Sequence, residues 1–428
     1  MRVKFITLGC KTNLYESDAM AKLFSERGFE IIKQGVADVY VINTCTVTGT
    51  GAQKSRQAIN RASRENPRAV IAVTGCLAQT ETESIAKMEG VDVVCGTGGK
   101  SRIAELVEEA VYKKQQIIEC GDVMEVRQFE EIAAINAQSR TRANVKIEDG
   151  CNNYCTYCII PYARGRVRSR DIEKIGQEVR ALAENGYREI VLTGIHIGSY
   201  GLDIDNKYTL IDVLEQVCAI DGIERVRLGS LEPVAVTENF VSRAKRLNNL
   251  CPHFHLSLQS GCDETLKRMN RHYTTEEYRR AVELLRENIP DTAITTDLMV
   301  GFPGETEEEF EKSYNFCLSI GFMQMHIFKY SVRKGTLAEK FPNQVPSRIK
   351  EERSRRMIEL AEGMKRDFYE RYKGRKMPAL VELRKPNGKY HSTTANYMDI
   401  YIDGSEDMMG KTVDVILDGK GGGEIVGF

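Results

Sequence analysis

The sequence predicts an α/β protein in three parts. These are an N-terminal parallel-sheet α/β domain over residues 1–135, a partial six-unit β/α barrel over 140–372 and a small all-β barrel over 375–428. Three observations carry this. Short β-branched runs alternate with helical patterns through the first third of the chain, the mark of βαβ units and a parallel sheet. A second series follows, six units at spacings of roughly 25–45 residues, too few for a closed eight-unit barrel. After Gly374 the helical pattern stops and short strands with turns remain.

In the first domain, strands are expected at Val3–Leu8, Val39–Asn43, Val70–Thr74 and Val91–Val94, and helices at Ser17–Arg27, Gln53–Arg64 and Glu83–Glu89. Residues 121–143 lose the pattern and read as a connector. The barrel strands are expected at Asn144–Ile147, Ile190–Thr193, Val226–Gly229, His255–Leu258, Ile294–Val300 and His326–Tyr330, with helices such as Glu173–Glu184, Thr275–Arg286 and Glu307–Ser319 between them. Ser347–Tyr372 reads as one long helix. Its apolar face holds Met357, Ala361, Met364, Phe368 and Tyr372, and Arg353, Arg355 and Arg356 point elsewhere. In the last domain, strands are expected at Ala379–Leu383, Met398–Ile402, Val413–Leu417 and Glu424–Val426.

Sixty Lys and Arg against 61 Asp and Glu leave a net charge of −1, so any nucleic-acid role must rest on local basic surface. No apolar run approaches the ~20 residues of a membrane span, and nothing at the start resembles a leader. A cytoplasmic chain with no membrane partner is expected. Twelve cysteines in such a chain point to metal binding or chemistry rather than to disulfides.

Those cysteines sort into two constellations. CNNYCTYC places Cys151, Cys155 and Cys158 in a C-x-x-x-C-x-x-C array just after the first barrel strand. Soft thiolates select iron–sulfur clusters or zinc. Zinc wants a fourth ligand, and none is near in sequence. Cys10, Cys45 and Cys76 each end a strand, in TLGC, VINTC and AVTGC. Strand ends of a parallel sheet share one edge, so these three converge although far apart in sequence. Cys95 ends a strand too, but in a different sequence context, and Cys218, Cys251, Cys262 and Cys317 read as bystanders.

The C-x-x-x-C-x-x-C array opening a six-unit barrel resembles the radical S-adenosylmethionine superfamily. With Cys10, Cys45 and Cys76 upstream, the whole chain resembles the methylthiotransferases. GCKTN and TRANVKIEDGCNNYCTYCIIPYARGR look most like the branch that acts on threonylcarbamoyladenosine beside the tRNA anticodon (position 37). The resemblance implies two 4Fe-4S clusters and S-adenosylmethionine, with Tyr157, Gly194, Ser230, Glu232, Gln259 and Asp297 as cofactor contacts. It further implies a C-terminal TRAM-like RNA-binding barrel and a methylthio insertion at carbon 2 of the adenine, the chemistry being carried by the two clusters and S-adenosylmethionine. One departure is VRKGTLA, where Lys334 replaces a proline common in the family. Isopentenyladenosine tRNA and a ribosomal-protein aspartate are alternative targets, and a non-catalytic zinc or iron–sulfur RNA-binding protein is an alternative of another class.

PYARGRVRSR sets Arg164, Arg166, Arg168 and Arg170 beside the cluster ligands, where guanidinium forks suit tRNA phosphates. The last barrel is net acidic, so RNA contact there must use a few residues such as Arg384, Lys385 and Tyr397. GTGGKS at residues 96–101 lacks the first glycine of a P-loop. His196 at a barrel rim suggests packing or hydrogen bonding. The expected partners are tRNA and an electron donor such as flavodoxin or ferredoxin, with the chain a monomer.

Overall fold

The computed structural model describes residues 1–132, 141–205 and 207–427. Its first part is a parallel sheet in the order Glu30–Ile31, Arg2–Thr7, Val39–Thr44, Val70–Gly75, Val91–Cys95, Ile117–Glu119. The four central strands are those the sequence predicts. The outer two span only two and three residues, too few to carry a pattern. Val39–Thr44 is buried along its whole length, as a strand covered on both faces must be. Helices Lys11–Glu26 and Ile103–Lys113 cover one face around Met20, Phe24 and Leu106, and Gly49–Glu65 covers the other around Tyr40 and Ile59. The helix expected over Glu83–Glu89 is instead a pair, Cys76–Thr80 and Thr82–Ala86. The expected boundary between 135 and 140 lies outside the described residues.

The six barrel strands are Arg142–Lys146, Glu189–Thr193, Arg225–Leu228 continuing as Ser230–Leu231, His253–Leu256, Ala293–Val300 and Gln324–Lys329. They pair in parallel and in chain order. The third strand breaks at Gly229, pairing with the second strand before the break and with the fourth after it. Among the described residues the first and last strands do not pair, so the curled sheet keeps an open seam. Helix Lys11–Glu26 packs beside the first strand and helix Ser347–Glu370 beside the last.

Alternation along these strands splits the barrel into two environments. Val145, Ile190, Leu192, Val226, Phe254, Leu256 and Leu298 turn outward into the core beneath the helices. Arg142, Glu189, Arg225, Arg227, His253, His255, Thr295, Asp297 and His326 occupy the opposite register and line a polar lumen. A closed eight-stranded barrel packs that space with branched apolar side chains. Here it is left to charged and hydrogen-bonding groups.

On the long helix Met357, Ala361, Met364 and Phe368 are buried as expected, but Arg353 is buried with them. Its guanidinium donates to the Glu305 carboxylate at 2.7 Å and to Glu307 at 3.0 Å, which offsets its dehydration.

The last domain is an antiparallel sheet ordered Asp399–Ile402, Tyr390–Thr394, Lys376–Arg384, Thr412–Leu417, Gly423–Gly427, and a Tyr401–Gly422 bridge draws its edges together. It closes the floor of the central barrel. Arg225 donates to the carbonyls of Thr393 at 2.9 Å and Pro378 at 3.0 Å, and Arg227 to that of Ala395 at 3.0 Å. Tyr397 stacks on His253 with ring centroids 4.2 Å apart, and the Arg227 guanidinium lies 4.9 Å from the Tyr397 ring centroid. Tyr397 therefore helps dock the last domain onto the barrel.

Candidate active site

Cys10, Cys45 and Cys76 meet at the C-terminal edge of the first sheet, close enough for each of the buried pair to feel the charge of the other two or of Cys10. Two glycines make the approach possible. Gly9 has φ +102°, and a Cβ there would lie 2.8 Å from Cys45 Cβ and 3.0 Å from its Sγ. Gly75 has φ +93°, and a Cβ there would lie 2.5 Å from the Thr44 carbonyl. Asn13 ties two of the loops together, its Nδ2 donating to the carbonyls of Leu8 at 2.7 Å and Thr44 at 3.1 Å. Burial pushes the Cys45 thiol up to about 11 and raises that of Cys76, which the Arg164 cation partly offsets.

Cys151, Cys155 and Cys158 lie on the loop above the barrel strands. Gly150 must be glycine, because with φ +87° a Cβ would fall 1.9 Å from the Arg166 carbonyl. The loop is fastened by Thr156 N–H to Met269 O at 3.0 Å and by Ala338 N–H to Thr156 O at 2.8 Å. Burial pushes the Cys151 and Cys158 thiols up to about 12. Arg271 donates to Cys155 Sγ at 3.3 Å.

The two arrays are adjacent. Cys158 lies within the electrostatic reach of Cys76, and Arg164, on the helix Ile160–Arg164 that follows Cys158, donates to Cys76 Sγ at 3.3 Å. All six sulfurs are free thiols. Among the described residues, no three His, Cys, Asp or Glu side chains are gathered tightly enough to hold one ion. Two sets of three soft thiolates fit two iron–sulfur clusters, each with one iron left open.

Of the expected cofactor contacts, Tyr157 lies on this loop and Glu232 is tied to it through Asn153. Glu232 is buried, bonded by Arg271 at 2.7 Å, Asn153 at 2.8 Å and His196 at 3.3 Å. Burial opposes its ionisation, but His196 and Arg271 hold its carboxyl down at about 2. A Cβ on Gly194 would come 2.7 Å from Glu148 Oε2. Tyr157 packs on Phe302, Gln259 has φ +64°, and Asp297 faces His255 at 3.4 Å. Ser230 is exposed beyond the break at Gly229.

The arginine run is a correction. Arg164, Arg168 and Arg170 are buried and have protein partners. Arg164 pairs with Glu16 and, at 3.4 Å, with Asp149; Arg168 lies 3.5 Å from Asp149; Arg170 pairs with Glu131 and Glu178. Only Arg166 is exposed and free to meet RNA. Lys100, from the P-loop-like GTGGKS, belongs to the same buried cluster at 3.2 Å from Glu16, as does Lys146 at 2.8 Å. Although burial opposes it, Arg164, Lys100 and Lys146 hold the Glu16 carboxyl well below its ordinary range.

Several residues of the site escape sequence reasoning. A cleft of ≈ 1290 Å³ opens between the first two domains, lined by Arg56, Gln57, Glu81, Tyr162, Arg333 and Lys334 among others. Arg333 has Nε and Nη2 buried without a partner, and Tyr162 is exposed on the cleft wall. Lys11, next to Cys10, is exposed at the start of the helix Lys11–Glu26.

Paired thiol arrays at the strand ends of a parallel sheet and a six-stranded partial barrel define a radical S-adenosylmethionine type of enzyme. The model of the radical SAM superfamily matches residues 145–317, and that of a family described as "Uncharacterized protein family UPF0004" matches residues 2–96. The threonylcarbamoyladenosine tRNA methylthiotransferase of Bacillus subtilis is 41% identical over 96% of this chain and 93% of its own length, and that of Aquifex aeolicus is 41% identical over 97% and 100%. The tRNA-2-methylthio-N(6)-dimethylallyladenosine synthase of Clostridium tetani is 36% identical over 96% and 92%. A radical S-adenosylmethionine methyltransferase from Kitasatospora setae shares the fold, with a TM-score of 0.60 at 15% identity over 79% of this chain and 77% of its own. The chain belongs to the radical SAM methylthiotransferase family.

Proposed function

We propose that the protein inserts a methylthio group at carbon 2 of N6-threonylcarbamoyladenosine beside the anticodon of tRNA. The observation that carries this is the placing of two three-thiol arrays against each other, with Arg164 reaching from one to the other, in a chain 41% identical to two enzymes so named.

Cys151, Cys155 and Cys158 hold one 4Fe-4S cluster and with it S-adenosylmethionine, for which Tyr157, Gly194, Ser230, Glu232, Gln259 and Asp297 are the contacts. Cys10, Cys45 and Cys76 hold the second. When bound, the clusters and S-adenosylmethionine supply the hydrogen abstraction and the methylthio group, a replacement at an aromatic C–H that acid–base side chains cannot perform. The residues of the chain do the rest. Arg164 and Arg271 each place a guanidinium N–H on one thiolate and neutralise buried negative charge there. Glu16 and Asp149, sharing Arg164 and Lys146, lock the first domain onto the barrel and so fix the distance between the arrays. The cleft bearing Arg56, Tyr162, Arg333 and Lys334 receives the anticodon loop, whose bases can be splayed out without melting a helix. Arg166 and the C-terminal TRAM-like barrel give further RNA contact, a flavodoxin or ferredoxin supplies the electron, and the chain works as a monomer in the cytoplasm.

Iron and acid-labile sulfide would be measured on the anaerobically reconstituted protein and on its Cys10, Cys45 and Cys76→Ala triple variant, beside nucleoside analysis of tRNA after turnover. About eight irons falling to four, with a methylthio product on threonylcarbamoyladenosine made only by the wild type, is the expected result. If the variant keeps all the iron of the wild type, the first array is not a cluster site. If product forms only on isopentenyladenosine tRNA or on ribosomal protein, the substrate is one of those instead.

A further inference from the structure

Arg333 is a charged group of the interdomain cleft whose donors the fold leaves unmatched. It lies in the turn that follows the last barrel strand, Gln324–Lys329. That turn touches both halves of the site. A Cβ on Gly49, at the start of the helix Gly49–Glu65, would lie 3.1 Å from Ser331 Oγ, and one on Gly335 would lie 3.7 Å from Ile159 Cδ1. Thr336 Oγ1 donates to the Arg333 carbonyl at 2.8 Å, and Ala338 N–H donates to Thr156 O at 2.8 Å. The backbone that carries Arg333 is thus fastened to the loop of Cys151, Cys155 and Cys158.

The cleft runs down to both arrays, since Thr46 and Ile159, the residues after Cys45 and Cys158, line it together with Arg333. Its ≈ 1290 Å³ exceeds the about 300–1,000 Å³ of a small-molecule pocket and suits a segment of a polymer. Of its other charged lining residues, Arg56 pairs with Glu81, while Glu83 and Lys334 are exposed. Arg333 Nε and Nη2 are both buried, and neither has a hydrogen-bond partner among the described residues. These two nitrogens form one edge of the guanidinium, and their parallel N–H bonds match the two oxygens of a carboxylate or a phosphate. Arg243 shows that pairing elsewhere in this chain: its Nε donates to Glu215 Oε1 at 2.8 Å and its Nη2 to the other oxygen of the same carboxylate. Leaving such donors buried and unmatched costs free energy, which an entering oxyanion recovers.

We propose that the Nε–Nη2 edge of Arg333 binds an oxyanion of the tRNA substrate and so sets how deep the target base enters the cleft. The inference rests on the substrate reading above. Two oxyanions travel with the target nucleotide, its backbone phosphate and the carboxylate of its threonylcarbamoyl group, and each offers the paired oxygens that the edge takes. A rotation about the last bonds of the side chain turns that edge from the cleft wall to the ligand.

The test is equilibrium binding of anticodon stem-loops to the cluster-loaded protein without S-adenosylmethionine, at several salt concentrations, so turnover plays no part. Three loops are compared, carrying adenosine, threonylcarbamoyladenosine or its methyl ester at the modified position. Arg333→Gln should weaken binding of the threonylcarbamoyl loop by about tenfold to a hundredfold, the worth of hydrogen bonds to a charged group. Arg333→Lys, a point charge without the paired edge, should recover only part of the loss. A loss confined to the acid, with the adenosine and ester loops bound as by wild type, identifies the carboxylate. An equal loss on all three, with the log–log salt slope reduced by about 0.7, identifies the phosphate. Iron content is measured on each variant. If Arg333→Gln loses iron, Arg333→Lys carries the comparison; iron lost from both overturns the proposal, because the guanidinium then serves the array and not the RNA. Unchanged binding of all three loops by an iron-replete variant overturns it too and leaves the substrate reading standing. A wild type that binds none of the loops better than a hairpin of unrelated sequence overturns the substrate reading itself.

Discussion

Arg164→Met removes the side chain that joins the two halves of the site. Arg164 Nη2 donates to Asn13 Oδ1 at 2.7 Å and to Glu16 at 3.2 Å, and Nε donates to Cys76 at 3.3 Å. Breaking a buried pair by deleting one partner costs about 3–5 kcal/mol when the other charge is left alone. Glu16 is not left alone, because Lys146 and Lys100 remain 2.8 and 3.2 Å away. The loss is then mainly the stranded Asn13 acceptor, worth about 1–3 kcal/mol, together with part of the Glu16 bond. We expect about 3 kcal/mol, at the bottom of the range. A three-domain chain unfolds in more than one step, so amide exchange is the sharper assay. Protection in the helix Lys11–Glu26 should fall about a hundredfold, and the helix Thr275–Asn288, far from the interface, should hold. In a cycle with Glu16→Gln the two changes should couple by at least about 1 kcal/mol. Additive effects, or equal loss in both helices, would refute the assignment of Arg164 as the bolt between the domains.

Gly9→Ala puts a Cβ 2.8 Å from Cys45 in a left-handed conformation, so iron analysis should show about four irons lost with the radical array intact. Burial pushes the Glu148 carboxyl up to about 8, against N–H bonds from His196 and Ile195. The folded chain then binds a proton that the unfolded chain releases above about pH 4.3, so its stability falls as pH rises toward 8, by up to about 1.4 kcal/mol per unit. Urea denaturation of the cluster-free Glu148→Gln variant should lack that part of the slope. Lys334→Glu should lower the salt dependence of tRNA binding by about 0.7 in log–log slope for a single-strand phosphate contact, and an unchanged slope would remove Lys334 from the interface. Tyr397→Ala takes away the ring between His253 and Arg227, and limited proteolysis should then release the last domain sooner than in wild type.

What the sequence made legible is what local pattern encodes. The six barrel strands and both cysteine sets are visible because strand ends, spacing and residue type are properties of short segments. The C-terminal strand Tyr390–Thr394 escapes because YHSTT carries almost no apolar residue, its burial coming from neighbours on both sides. The arginine run misleads for a related reason. Four arginines beside a cluster look like a phosphate site, and nothing nearby announces that the Arg164 partner is Glu16, 148 residues upstream. Arg353 is the same case on a smaller scale, its partner Glu305 lying on another element.

The Arg164 contact to Cys76 has a consequence for how such enzymes can be recombined. The ligand is encoded in one domain and its cation in the next, so the two modules are not interchangeable parts. A chimaera that grafts this N-terminal domain onto a foreign barrel would inherit three correct thiols and a carboxylate, Glu16, with two of its three cations, Arg164 and Lys146, missing. Conversely, this barrel transplanted alone would carry a buried guanidinium facing open solvent. Swaps that move the cut point past Arg164, so that the helix Ile160–Arg164 travels with the first domain, should tolerate exchange better than swaps made at the linker.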